Sequence, residues 1–280
     1  MLFSSNNYLG LSSHPDVKKA MKDAVEKYGM GSGGPRLFAG NTEIHNELEV
    51  AIAQFVGREA AITVTTGYMA NIGLIPALVN MPVTSIAELA KRTVVKKIFG
   101  NRNHSSLSIL SDEKNHGSII DGVRLSNAER LIYKHKDVSD LEKLLSKAKG
   151  KHTLVITDGV FSMDGDIAPL PDIVSCAKRR NAMIMIDDAH GIGTLGEKGR
   201  GSLEHHNIPD DDVDILMGTF TKAFGGVGGF VAGSKDFIEY LKISMRTYIL
   251  SAPLPPSTAA GLHKSVELAQ KEVWRGENAW

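Results

Sequence analysis

Two segments of the 280-residue chain carry residue types that can do chemistry together. Met183-Ile184-Met185-Ile186-Asp187 is an apolar run that ends in a carboxylate, followed by Asp188-Ala189-His190-Gly191. Further on, Gly218-Thr219-Phe220-Thr221-Lys222-Ala223-Phe224-Gly225-Gly226 delivers one lysine among small and flexible residues. Burial lowers the pKa of such a lysine and leaves a neutral amine able to attack an aldehyde. A carboxylate at the end of a buried run needs a cationic partner, and a protonated ring nitrogen is one. Asp188 is adjacent but points the other way on a strand, so Asp187 is the candidate. A lysine that can form an imine and an acid that can hold a ring nitrogen protonated are the two protein groups that pyridoxal 5'-phosphate needs.

Four further positions could serve the same ring. His190 can hydrogen-bond a ring oxygen, although a structural histidine in a turn is the bland reading. Thr65-Thr66-Gly67-Tyr68-Met69-Ala70-Asn71 sets the free amides of a helix start beside a glycine, which suits a phosphate. His116, after the Leu107–Leu110 run, can stack on a flat ring. Ser162, in Gly159-Val160-Phe161-Ser162-Met163-Asp164-Gly165, offers a hydroxyl after another run.

The elements that must position these residues alternate along the chain. Strand-like runs are Ala60–Thr65, Leu107–Leu110, Thr153–Thr157, Met183–Ile186, Asp214–Met217 and Phe230–Ala232. Helical spacing marks Asp16–Tyr28, Ile44–Phe55, a helix from Gly67, Val138–Lys149 and Ile173–Arg180. The strands are apolar with little alternation, as in strands covered on both faces. The expectation is an α/β fold with a mainly parallel central sheet flanked by helices, and ligands at the carboxyl ends of its strands. Gly29 to Gly40 reads as a glycine-rich loop. Residues 80–105 break the pattern, with a helical spacing over Ile86–Phe99, a basic cluster at Lys91, Arg92, Lys96 and Lys97 that reads as a solvated surface helix, and an exposed loop at Asn101–Ser105.

Bulk composition excludes several function classes. Lys+Arg and Asp+Glu are both 32, so no net charge draws the chain to nucleic acid or an anionic membrane. No apolar run reaches membrane-spanning length. The single cysteine, Cys176, excludes an intrachain disulfide framework and suits a reducing, cytoplasmic setting. The opening Met-Leu-Phe-Ser-Ser-Asn-Asn-Tyr lacks the basic flank and apolar core of a signal peptide.

Six strings together resemble the α-oxoamine synthases, pyridoxal phosphate enzymes of fold type I (aspartate aminotransferase-like). They are Asn6-Asn7-Tyr8-Leu9-Gly10-Leu11, Tyr28–Gly34, Asn115-His116-Gly117-Ser118-Ile119-Ile120-Asp121-Gly122, Phe161-Ser162-Met163-Asp164-Gly165, Asp187–Gly191 and Thr219–Gly225, in the family's order. Each alone is weak; the set is specific. The resemblance implies that Lys222 is the lysine joined to the cofactor and the base that takes the amino acid's α-proton. It implies that Asp187 partners the ring nitrogen, His116 stacks on the ring and His190 contacts the ring oxygen. Ser162 and Thr219 match cofactor-binding hydroxyls, Gly67 and Tyr68 the phosphate turn, and Asn7 an asparagine near the amino acid substrate. The implied reaction condenses a small amino acid with an acyl-CoA thioester, with loss of CoA and usually of carbon dioxide, to an α-amino ketone. Among the branches, the 8-amino-7-oxononanoate synthase type is the first expectation, ahead of the serine palmitoyltransferase and glycine C-acetyltransferase types. A non-catalytic subunit of the same fold is the alternative. A homodimer is implied, because the family's site lies between subunits.

The resemblance also implies a domain plan: an N-terminal segment over 1–40, a large cofactor-binding domain over 41–255 in which 80–105 is an insertion, and the start of a C-terminal domain over 256–280, the rest of it absent. The family's arginine for the substrate carboxylate then has no counterpart here, and Ala252 stands where a hydroxyl residue is common.

Overall fold

Apolar runs flanked by turn residues pair into one seven-stranded sheet in a computed structural model that describes residues 4–79 and 107–279. The strands are β1 (Ala60–Val64), β2 (Leu107–Asp112), β3 (Glu129–Tyr133), β4 (His152–Asp158), β5 (Met183–Asp187), β6 (Ile215–Thr219) and β7 (Gly229–Gly233). Their order is β1-β7-β6-β5-β4-β2-β3. Neighbours from β6 to β3 run parallel, and β7 runs antiparallel to both β1 and β6. The expected mainly parallel sheet is therefore present. The insertion expected over 80–105, with its helix and basic cluster, lies outside the described residues.

The lack of alternation in the strands has a direct cause. Val155, Ile184, Ile186 and Leu216 enter one apolar cluster, whereas Leu154, Ile156, Met185 and Met217 enter the cluster on the opposite face. Helices cover both faces, so both side-chain sets are apolar. The first face holds α1 (Pro15–Tyr28), α2 (Glu43–Phe55), α6 (Leu170–Arg179) and α10 (Pro256–Lys271) through Val17, Leu48, Ile173 and Leu262. The second holds α3 (Gly67–Val79), α4 (Gly117–Ser126) and α8 (Lys235–Ser244) through Leu74, Ile119 and Leu241. Of the remaining helices, α5 is Val138–Leu145, α7 Ser202–His205, α9 Arg246–Ile249 and α11 Trp274–Glu277.

Local chemistry sets the element ends. α1 opens with Pro15 at its first position, His14 accepts from the Asp16 amide at 3.2 Å, and Gly29 stops it at φ 74°. The Val138–Lys149 helix expected from spacing ends at Leu145 instead. Beyond it the chain is drawn to the sheet edge, where the Lys149 amide meets Glu129 at 2.8 Å and the Gly150 amide meets Ser108 at 2.7 Å. β3 is the strand that sequence spacing did not mark. It is an edge strand, with Arg130 and Ile132 exposed, so it lacks the apolar run of its neighbours.

Candidate functional site

Parallel strands bring their carboxyl ends to one edge of the sheet, and β2, β4, β5 and β6 end there in Asp112, Asp158, Asp187 and Thr219. β4 and β5 pair with Asp158 beside Asp187. Above them lies a cavity of about 320 Å³. All eight residues expected to hold the cofactor line it: Gly67, Tyr68, His116, Ser162, Asp187, His190, Thr219 and Lys222. Asn7 is not on this wall; its side chain donates to the Ser12 hydroxyl at 2.8 Å and accepts from the Ser12 amide at 3.3 Å.

The end of β5 separates its two acids. Asp187 is buried and faces the cavity, where its Oδ2 accepts from Asn71 Nδ2 at 2.7 Å and its Oδ1 from the Ala189 amide at 3.2 Å. Asp188 faces away and accepts from the Ser202 amide at 2.7 Å. Its carboxyl fills the space beside Gly191 and Gly201, where a Cβ would lie 2.1 Å from its oxygens. Burial pushes Asp188 up to about 6, against the hydrogen bonds from Ser202.

Lys222 follows β6 on a turn closed by the Gly225 amide donating to the Lys222 carbonyl at 3.0 Å. It is half-buried and makes no ion pair among the described residues. Burial lowers its ammonium below the ordinary lysine value, and the pull of Asp187, Asp158 and Asp188 offsets this only in part. The turn is held by Thr219, whose hydroxyl donates to the Gly228 carbonyl at 2.8 Å and accepts from the Thr221 amide at 3.2 Å.

Two histidines flank the same space. His116 caps α4, with Nδ1 accepting from the Ser118 amide at 3.2 Å. His190 is pushed down to about 4 by burial first, then by the positive charge of Lys222 and by His116, so its ring is neutral at pH 7. Its Nδ1 lies 2.9 Å from the Tyr8 hydroxyl.

The floor near α3 is shaped by close backbone approach. A Cβ on Gly229 would sit 2.6 Å from Gly67 Cα, so β7 and the start of α3 touch through two glycines. The Gly67 and Tyr68 amides open α3 with no acceptor among the described residues. The Tyr68 hydroxyl donates to Asp121 at 2.5 Å.

Four wall or supporting residues escaped the sequence reading: Asp158, Ser118, Asn71 and Tyr8. Asp158 ends an apolar run just as Asp187 does, so the same signature was available. Asn71 and Tyr8 have no local signal, because the site residues they hold are distant in the chain, and Ser118 is a small polar residue two positions from His116 that carries no mark of its own.

The aminotransferase class I and II family profile matches residues 1–277. The 8-amino-7-oxononanoate synthase of Thermosipho melanesiensis is 45% identical over 277 residues, which cover 99% of this chain and 64% of that relative. A serine palmitoyltransferase variant of S. paucimobilis, solved with a bound PLP–myriocin aldimine, superimposes with TM-score 0.84 at 36% identity over 95% of this chain and 61% of that one. An 8-amino-7-oxononanoate synthase from Francisella tularensis superimposes with TM-score 0.76 at 29% identity, covering 96% of this chain and 69% of that one. The chain thus spans just under two thirds of the length of the curated relative. It belongs to the class I and II aminotransferase family, on the α-oxoamine synthase branch.

Proposed function

We propose that the chain is the cofactor-binding part of a pyridoxal phosphate-dependent acyltransferase of the 8-amino-7-oxononanoate synthase type, joining a small amino acid to an acyl-CoA thioester. The observation that carries this reading is the meeting of Lys222, Asp187 and the free amides of Gly67 and Tyr68 on one cavity wall.

The donor set fits the cofactor group by group. Gly67 and Tyr68 amides at a helix start suit its phosphate. Asp187, a buried acid with hydrogen bonds from Asn71 and Ala189, suits the ring nitrogen. Neutral His190 and Thr219 suit its polar edge, Ser162 its rim, and the His116 ring its face. When bound, pyridoxal phosphate supplies an electron sink for a carbanion next to the amino group.

The protein's own part is binding and proton handling. Lys222 Nζ, depressed by burial, is available as an amine that first holds the cofactor and then takes the α-proton of the amino acid. Asp187 keeps a negative charge where the ring nitrogen is to stay protonated. Tyr8 orients His190 through Nδ1, which leaves Nε2 for the ligand. With the group bound, the deprotonated α-carbon would displace CoA from the thioester, and loss of carbon dioxide would leave the α-amino ketone.

The exposed apolar side chains Tyr68 and Val227 on the cavity wall, with Met163 next to Ser162, suit cover by a second copy of the chain. We assign Asn7 to the substrate side, and the domain limits to 1–40, 41–255 and 256–280. Cytoplasmic residence fits the single buried thiol of Cys176. No helix among the described residues is long and apolar enough to cross a membrane.

An absorption spectrum of the protein with pyridoxal phosphate, beside Lys222→Ala, tests the reading. A band present in the first and absent in the second is expected, followed by spectral change on adding alanine and then a pimeloyl thioester. No band in either would overturn it. The close fit to a serine palmitoyltransferase fold favours serine with a long-chain acyl-CoA as the second substrate pair to try, with glycine and acetyl-CoA third.

A further inference from the structure

Asp158 is a buried acid that the proposed reaction does not use. It stands beside Asp187 in the register of two parallel strands, so both carboxyls rise from the same face of the sheet into the same cavity. Both are nearly inaccessible, at 5% and 4% exposure. Two carboxylates side by side in a poorly solvated place repel, and the cheaper state has one proton between them.

Hydrogen bonds decide which acid keeps it. Asp187 receives two donors, one on each oxygen: Asn71 Nδ2 at 2.7 Å and the Ala189 amide at 3.2 Å. Asp158 receives one, the His116 amide on Oδ2 at 3.1 Å, and its Oδ1 is buried without a partner. Donors favour the charged form, and an oxygen without one favours the protonated form. The other charged groups around Asp158 are Lys222 after β6 and Asp112 on β2, and they act in opposite directions. Burial and the neighbouring Asp187 together raise the Asp158 carboxyl well above its usual range.

We propose that Asp158 is a positioning residue that holds a proton at neutral pH, so that the Asp158–Asp187 pair presents a single negative charge, on Asp187. This rests on the proposed cofactor reading for its use. One anion then meets one ring cation, with no second charge left over. The neutral acid also spares Lys222 a further anionic neighbour, which would hold its ammonium protonated and unreactive. The Asp158 backbone adds a mechanical role, because its amide donates to Asn115 Oδ1 at 2.9 Å while its carboxyl accepts from the His116 amide, pinning the turn that carries the His116 ring.

The test needs no cofactor. The ligand-free protein, made with carboxyl-labelled aspartate, is titrated by NMR or infrared spectroscopy from about pH 4 to about pH 8, well above the usual carboxylate range near 3.9. The expected result is a protonated aspartic acid that persists to neutral pH in wild type and in Asp188→Asn, and is lost in Asp158→Asn. A persistent signal that instead disappears in Asp187→Asn would put the proton on the other acid and overturn the proposal. So would complete ionisation of every aspartate but Asp188 by pH 6. The wild-type titration stands even if a variant fails to fold. Linkage supplies a second readout. The folded state holds the Asp158 proton more tightly than the unfolded chain, so stability falls as pH rises above about 4. Asp188, raised to about 6, contributes a fall of its own, so Asp158→Asn should make the fall shallower and end it at lower pH, and an unchanged pH profile would contradict the proposal. Pyridoxal phosphate absorbance is recorded separately: no cofactor band with a persistent protonated Asp158 would sink the cofactor reading alone.

Discussion

The Arg36–Glu49 pair and the acids at the cavity are both buried charge on this sheet, but only the first is closed. Arg36 and Glu49 form a two-pronged ion pair at 2.8 and 3.0 Å, and the remaining atoms are taken up by Asn41, by the Thr63 hydroxyl and by the Thr63 amide. The Tyr248 ring packs 5.4 Å from the guanidinium. That cluster ties the glycine-rich loop to α2 and β1. At the cavity, in contrast, Asp158 Oδ1 and Asn71 Oδ1 have no partner and Lys222 makes no ion pair among the described residues. Between these two clusters, the charge that serves folding is matched within the chain, whereas the charge proposed to serve a ligand is left for the ligand to match.

The sharpest way to break this contrast is to remove one member from each cluster. Arg36→Ala leaves Glu49 buried without its cation and should cost about 3–5 kcal/mol of stability, read by denaturant unfolding. Asp187→Ala should instead weaken pyridoxal phosphate binding by about 2–5 kcal/mol, read by absorbance titration, while changing ligand-free stability far less. If both variants lost stability equally, the distinction between the clusters would fail. Gly229→Ala probes the floor: its Cβ would meet Gly67 Cα, and backbone cannot yield as a side chain does. A loss of about 1–3 kcal/mol is expected, with weaker phosphate binding at the displaced α3 start. The smallest effect is electrostatic. His190 should titrate near 4 rather than at the usual 6.5 in an NMR titration of its ring protons. Because its folded value is depressed, its stabilising contribution is complete above pH 6.5 and is lost as pH falls toward 4. A His190 that titrates near 6.5 would show that the cavity is wetter than its burial implies.

Much of this was legible in sequence for a physical reason. Strands covered on both faces must be apolar throughout, so β4, β5 and β6 stand out as runs. An acid or lysine at the end of such a run is conspicuous, which marks Asp187 and Lys222. Asp158 carries the same mark after Leu154-Val155-Ile156-Thr157 and belongs with them. β3 is illegible because an edge strand tolerates Glu129 and Arg130. Asn71 and Tyr8 are illegible for another reason. They act on Asp187 and His190 across 116 and 182 residues of chain, and nothing local announces a contact made only by folding.

The central claim is that Lys222 is the amine that takes the cofactor. The direct test incubates the protein with pyridoxal phosphate, reduces with borohydride and maps the modified peptide by mass spectrometry. A single pyridoxyl group on Lys222, formed at low cofactor excess and absent after Lys222→Ala, is the predicted result. Label scattered over surface lysines, with Lys222 unmodified, would contradict the account.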